Sequence, residues 1–257
     1  AMEEISRIDA SASVIMSVNN SLVCYLLEKY GSEYIKEQYL SKLAKGEKLG
    51  AFSLSEPQSG SDASNMNTTA TKDGDCYIIN GTKNWVTNGL NSDYVIVFAV
   101  TEKGVGHKGI SCFLVDKGIE GFEVGKPEDK LGIRSSDTTE LYFDNVSVSD
   151  NNLIGKEGEG FKIALSTLDG GRIGIASQAL GIAQASLDNS ILYSKDRKQF
   201  GKPISSNQSI QNKLANMAIE IESARLLIRK AAWLKDSKRD FRCAASMAKV
   251  YASEVAM

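Results

Sequence analysis

The stretch Phe52-Ser-Leu-Ser-Glu-Pro-Gln-Ser-Gly-Ser-Asp62 closes an apolar run with a turn built from Pro57, Gly60 and small hydroxyls. Such a turn leaves main-chain N–H groups free to meet a polar ligand. On its own, a structural turn is its default reading. Five further runs follow it in order: Asn80-Gly-Thr-Lys-Asn-Trp-Val-Thr-Asn88, Asp129-Lys-Leu-Gly-Ile-Arg134, Gly158-Glu-Gly-Phe161, Leu168-Asp-Gly-Gly-Arg172 and Arg197-Lys-Gln-Phe-Gly201. Other chemistries lack their residues. The single histidine, His107, sits in the Gly-rich stretch 103–109 and is expected as a solvated loop residue, so neither a zinc site nor a Ser-His-Asp triad is sought. Cys24, Cys76, Cys112 and Cys243 are far apart with no CxxC pair, which predicts reduced thiols serving as small core residues.

Lys and Arg number 30 against 32 Asp and Glu, a net charge of −2 with no long run of one sign, so nucleic acid and anionic membranes are not indicated as partners. The longest apolar stretches are broken by Gly, Ser or charge before a bilayer's width, and no secretory signal opens the chain; no membrane insertion is expected. With 257 residues there is ample material for a buried core.

Three textures must position these runs. Up to about Lys48 the apolar residues Val14, Val18, Leu22, Leu26 and Tyr30 recur at helical intervals, predicting two helices broken near Gly31-Ser32, with Ser32 capping the second. From Gly50, short β-branched runs alternate with Gly, Asn and Asp: 76–80, 94–100, 110–115 and 140–143. They predict a mainly antiparallel sandwich or barrel. After Gly160 the spacing is helical again, and Ile210, Leu214, Met217, Ile221, Ala224, Ile228 and Ala231 form the seam of a bundle helix. The fold expected is α+β in three parts: N-terminal helices over 1–49, a β domain over 50–153 and an incomplete C-terminal helical bundle over 154–257. Both ends lack cap signals and are expected to be truncated within helices.

In order and spacing, the motifs from Phe52 to Gly201 resemble the acyl-CoA dehydrogenase family, nearest its short-chain, butyryl-CoA branch, over essentially the whole chain. The resemblance implies the same three-part fold and FAD bound without a Rossmann fingerprint, consistent with the lack of a GxGxxG opening a helix after a strand. It implies that Phe52 through Ser61 line the flavin, with Leu54 and Ser55 at the pyrimidine edge, where donors stabilise negative charge on the reduced ring. It places Trp85, with Val86, beside the ring and Thr87 near N5. On the substrate side it implies Ser61, Phe161, Asp169 and Arg172 near the acyl-CoA. Arg197, Phe200 and Gln208 resemble residues that reach the FAD of a neighbouring subunit, an Arg matching a pyrophosphate through its planar fork of donors. A homo-oligomer, a dimer of dimers, follows, as does an electron-transferring flavoprotein as redox partner. An intracellular location is implied, the mitochondrial matrix in a eukaryote or the cytoplasm in a bacterium.

Dehydrogenation between C2 and C3 of an acyl thioester needs a carboxylate to take the α-proton while hydride leaves C3. The resemblance puts that Glu in a C-terminal Tyr-Glu-Gly-Thr motif, which does not occur before Met257, or beside the Arg matched by Arg172, where Gly171 stands. No residue is therefore expected as the base, and the chain alone is expected to bind FAD poorly or incompletely and not to turn over butyryl-CoA. Glu56 is read as structural. An alternative is a non-catalytic flavin- or CoA-binding scaffold, and a related oxidase is a third reading.

Overall fold

Helical spacing gives way to strand spacing between Ala44 and Gly50 in the computed structural model, which describes residues 1–257. The helix Ala10–Tyr30 is long and apolar enough to cross a membrane by composition alone. Val23, Leu26 and Leu27 on it are fully buried against the β-sheet, so it serves as a core helix. Its stretch Val18–Cys24 is π-helical, a widened turn that changes which side chains face inward. The helix stops at Gly31, and the Ser32 hydroxyl accepts the Ile35 N–H at 3.2 Å to cap the next helical stretch.

The sheet is built from β1 (Gly50–Ser53), β2 (Thr69–Asp73), β3 (Cys76–Thr87), β4 (Tyr94–Val100), β5 (Ile110–Asp116), β6 (Phe122–Val124), β7 (Thr138–Ser149) and β8 (Leu153–Ile154). Their order is β6-β7-β3-β2-β4-β5-β8, with β1 beside β4. Pairing is antiparallel except where β1 and β2 meet β4 in parallel. Strand β4 is apolar without alternation because both its faces are covered. Ile96 and Phe98 meet the helices, while Val95, Val97 and Ala99 meet Tyr77, Ile79, Leu141 and Phe143 of β3 and β7. Each fully buried Val, Ile, Leu or Phe among them contributes about 1.5–3 kcal/mol. The mainly antiparallel β domain between helical parts is the architecture expected.

Packing groups the chain into two units, Ile15–Leu168, and Ala1–Val14 together with Asp169–Met257. In the second unit, residues from the helices Gly160–Asp196, Gln208–Asp236 and Arg242–Val255 share one core around Ala176, Leu180, Ile221, Ala224, Ile228 and Ala248. The seam is fully buried from Ile221 to Ala231, whereas Ile210, Leu214 and Met217 are only partly covered. Gly181 admits the helix Met2–Ser6 closely, since a Cβ there would lie 2.4 Å from the Glu3 carbonyl oxygen. All four cysteines are free. Cys112 is buried and Cys24 and Cys76 are half-buried, but Cys243 is exposed on the outer side of its helix, so a core role fails for it.

Candidate functional site

Just past β1 the chain folds into a tight loop in which Glu56 and Ser59 exchange main-chain hydrogen bonds at 3.0 and 3.1 Å. The Glu56 side chain turns inward beneath this loop and meets Lys83 of β3 at 2.8 Å, with both side chains essentially without solvent exposure. The carboxylate also accepts the N–H groups of Asn67 (2.6 Å) and Thr68 (3.0 Å) and the Gln58 amide (2.7 Å). Lys83 Nζ donates in addition to the Leu54 carbonyl at 3.3 Å. Burial alone would raise the Glu56 pKa, but the Lys83 charge and these hydrogen bonds prevail and bring it down to about 2. Burial lowers the Lys83 ammonium to about 8 against the pull of Glu56, so both groups are ionised at neutral pH.

The same strand carries Trp85, and its geometry follows from a bulge. Between Lys83, paired with Leu141, and Val86, paired with Thr139, two residues of β3 face one of β7. Bulges of this kind re-aim a side chain and strengthen local twist. Trp85 takes φ +59° and its indole is 61% exposed, an outward, left-handed placement unusual for a bulky residue. Its neighbour Asn84 donates its N–H to the Ser55 carbonyl at 2.8 Å, which ties Ser55 to the residue preceding Trp85. Farther back on β3, Gly81 at φ +149° has no room for a side chain, because a Cβ would lie 2.7 Å from the Thr68 Cα.

A second tie joins the same two segments at their other end. Asn19, in the π-helical turn, accepts the Gly50 N–H at 2.9 Å, and Asn88 donates to the Gly50 carbonyl at 3.1 Å. Gly50 opens β1, and Asn88 follows Thr87 directly. The runs 50–55 and 84–88 are thus held at both ends.

The site residues expected from sequence fall into two groups. Phe52, Leu54, Ser55, Ser61, Trp85, Val86, Thr87 and Phe161 belong to the first unit. Phe52 is half-buried with its ring 5.2 Å from that of Phe98, and Leu54 is buried. The Val86 side chain lies wholly in the core, so it offers a ligand only main chain. Ser55 and Thr87 are half-buried and Ser61 is exposed, and their hydroxyls make no hydrogen bond within the chain. Phe161, half-buried, has its ring 5.7 Å from the exposed His107. A separate polar cavity of about 350 Å³ is lined by Ser64, Asn65, Asn67, Thr69 and Lys103 among others, without Ser61.

Asp169, Arg172, Arg197, Phe200 and Gln208 belong to the second unit. Asp169 and Arg172, one helical turn apart, form an ion pair. Arg197 leads into a hairpin of β9 (Lys198–Gln199) and β10 (Lys202–Pro203). At its tip Phe200 (φ +52°) and Gly201 (φ +78°) are both left-handed, as a type I′ turn requires. The Phe200 ring is 96% exposed, and Gln208 stands exposed at the start of the helix Gln208–Asp236.

Comparison with known proteins finds relatives along the whole chain. Residues 1–47, 51–146 and 158–257 match the N-terminal, middle and C-terminal domains of acyl-CoA dehydrogenase. The chain belongs to the acyl-CoA dehydrogenase family. It is 52% identical over 256 residues to the mitochondrial short-chain specific acyl-CoA dehydrogenase of Mus musculus, covering 100% of this chain and 62% of that protein. Butyryl-CoA dehydrogenase from Megasphaera elsdenii superposes with a TM-score of 0.97 at 49% identity, over 99% of this chain and 67% of the other. A chain in a structure of the electron transferring flavoprotein of Acidaminococcus fermentans superposes at 0.98 and 49% identity, again over 99% and 67%. The chain therefore spans about 62% of the length of the mouse relative.

Lys83, Asn84, Asn19 and Asn88 were not among the residues singled out from sequence. One signal was available for Lys83. It shares the odd-numbered, inward parity of Tyr77 and Ile79 on β3, which places a lysine where an apolar residue is expected. Its partner lies 27 positions away and has no such signal.

Proposed function

We propose that this chain forms the flavin-holding part of an FAD-dependent enzyme that dehydrogenates short-chain acyl-CoA to the trans-2-enoyl-CoA. The observation that carries the reading is the pairing of Ser55 with the outward Trp85 across the Asn84–Ser55 hydrogen bond, flanked by the free hydroxyls of Ser55 and Thr87. This donor set fits an isoalloxazine: a flat indole for the ring, and hydroxyl and main-chain donors for its polar edge. When bound, FAD supplies the acceptor for hydride leaving C3 of the acyl chain.

The residues divide the remaining work. Leu54 and Ser55 orient the pyrimidine edge, Thr87 donates near N5, and Trp85 screens the ring from water. Ser61 and Phe161 border the acyl-CoA. Asp169 and Arg172 act toward substrate as a pair, and Arg197, Phe200 and Gln208 act toward the FAD of a second copy in a homo-oligomer. No carboxylate among these 257 residues is assigned the role of base. An electron-transferring flavoprotein is the proposed electron acceptor. The location proposed is inside the cell, in mitochondria or bacterial cytoplasm, where the similar enzymes suggest it.

Titration with FAD tests the reading. Weak but saturable binding with quenched flavin fluorescence is expected, weakened at least tenfold further by Trp85→Ala, while butyryl-CoA leaves the bound flavin oxidised. No binding at all would sink the flavin assignment. Rapid bleaching by butyryl-CoA would show instead that a base lies among these residues.

A further inference from the structure

The buried Glu56–Lys83 pair calls for a reason other than stability. Ion pairs in protein interiors can often be replaced by apolar residues of similar size with no loss of stability. This pair is nevertheless saturated with partners. Glu56 Oε1 takes Lys83 Nζ and the Thr68 N–H, and Oε2 takes the Asn67 N–H and the Gln58 amide. Lys83 also reaches the Leu54 carbonyl and, at 3.8 Å, the Met66 sulfur. Two charges thereby gather the loop after β1, the lead into β2 and the bulge in β3 at one point.

What matters is the sequence position of the two charges. Ser55 immediately precedes Glu56, and Asn84 and Trp85 immediately follow Lys83. We infer that Glu56 and Lys83 are a positioning pair that locks Ser55 and Trp85 in register for the flavin ring, so that its removal alters how tightly and at what potential flavin is held. The inference rests on the flavin reading of the site. Without the pair, the Asn84–Ser55 hydrogen bond is left as the local tie between loop and bulge. A left-handed Trp persists only where its surroundings over-determine it, so the indole relaxes away from the ring.

The test uses the intact FAD-loaded protein and first establishes FAD binding by the unsubstituted chain; failure there sinks the flavin reading itself. The double variant E56Q/K83M replaces both charges with neutral side chains of similar size. It is expected to keep its far-UV circular dichroism while its FAD dissociation constant rises at least tenfold. The ratio of affinities for oxidised and reduced flavin, read as the midpoint potential, should move at least threefold. E56D keeps both charges but draws the carboxylate back by one methylene, and is expected to show the same changes to a smaller extent. A folded double variant with FAD affinity within twofold and an unchanged potential overturns the inference. If the double variant does not fold, E56D decides, and unchanged affinity and potential in it overturn the inference. Failure of both to fold overturns it too, because the pair is then structural only.

Discussion

Trp85 and Phe200 are both exposed aromatic residues held at positive φ, yet the chain supports them by opposite means. Trp85 sits in a bulge backed by a buried ion pair, by the Asn84–Ser55 hydrogen bond and by the Asn19–Gly50–Asn88 ties. Phe200 sits at the tip of a two-residue hairpin turn whose conformation comes from local chain geometry, with Gly201 sharing the strain. A strained aromatic backed by tertiary structure has a fixed address on its own subunit. One backed only by a turn has no such tertiary anchorage, the form suited to meeting another molecule. The contrast agrees with the separate roles proposed for them, Trp85 beside the flavin of its own chain and Phe200 toward that of a second.

The sharpest way to break this contrast is at the buried support. Lys83→Ala leaves the Glu56 carboxylate buried without its cation, and should cost about 3–5 kcal/mol in urea unfolding. A loss below about 1 kcal/mol would mean that the bulge does not depend on the pair.

Acid offers a second handle. Glu56 falls from an ordinary value of 4.5 to about 2 in the folded protein, so its contribution is fully present above pH 4.5 and is lost as pH drops towards 2. Denaturant midpoints measured across this window should fall for the unsubstituted protein and stay flatter for E56Q/K83M. Equal slopes would remove the pair from the acid response.

Gly81→Ala should cost about 1–3 kcal/mol, since the methyl meets the Thr68 main chain at a φ that side chains avoid. Thermal unfolding would read the loss, and a neutral result would show that β3 can shift there.

The smallest effect is expected at the hairpin. Phe200→Gly removes a side chain that is almost wholly exposed from a left-handed position and should leave stability unchanged or raise it by about 1 kcal/mol. Size-exclusion chromatography with FAD should nevertheless show weaker association of copies. Destabilisation by more than about 1 kcal/mol would give Phe200 an internal role like that of Trp85.

Much of the architecture was legible because it depends on neighbours in sequence. Helical spacing around Leu26 and Ile228, strand runs such as 94–100, and the Ser32 cap all report on contacts a few residues apart. The motifs also singled out the loop after β1 and the Trp-Val-Thr run, two segments that a main-chain hydrogen bond ties together. The bulge at Asn84-Trp85 was not legible, because an extra residue in one strand exists only relative to the register of its partner. Nor was the inward turn of Val86, which leaves its main chain alone for a ligand. Cys243 misled for a related reason: residue type indicates burial on average, whereas its place on a helix face decides it.

The amino-acid order by itself determined the element types and the family, and supplied the residues proposed to carry chemistry, since periodicity and motif spacing are short-range properties. Tertiary structure decided that Glu56 reaches Lys83, that Gly50 is gripped by two asparagines from separate segments, and that Trp85 points outward. Those outcomes require residues tens of positions apart to meet. Loop closure and strand register govern such meetings, and neither is written in any local stretch of the chain.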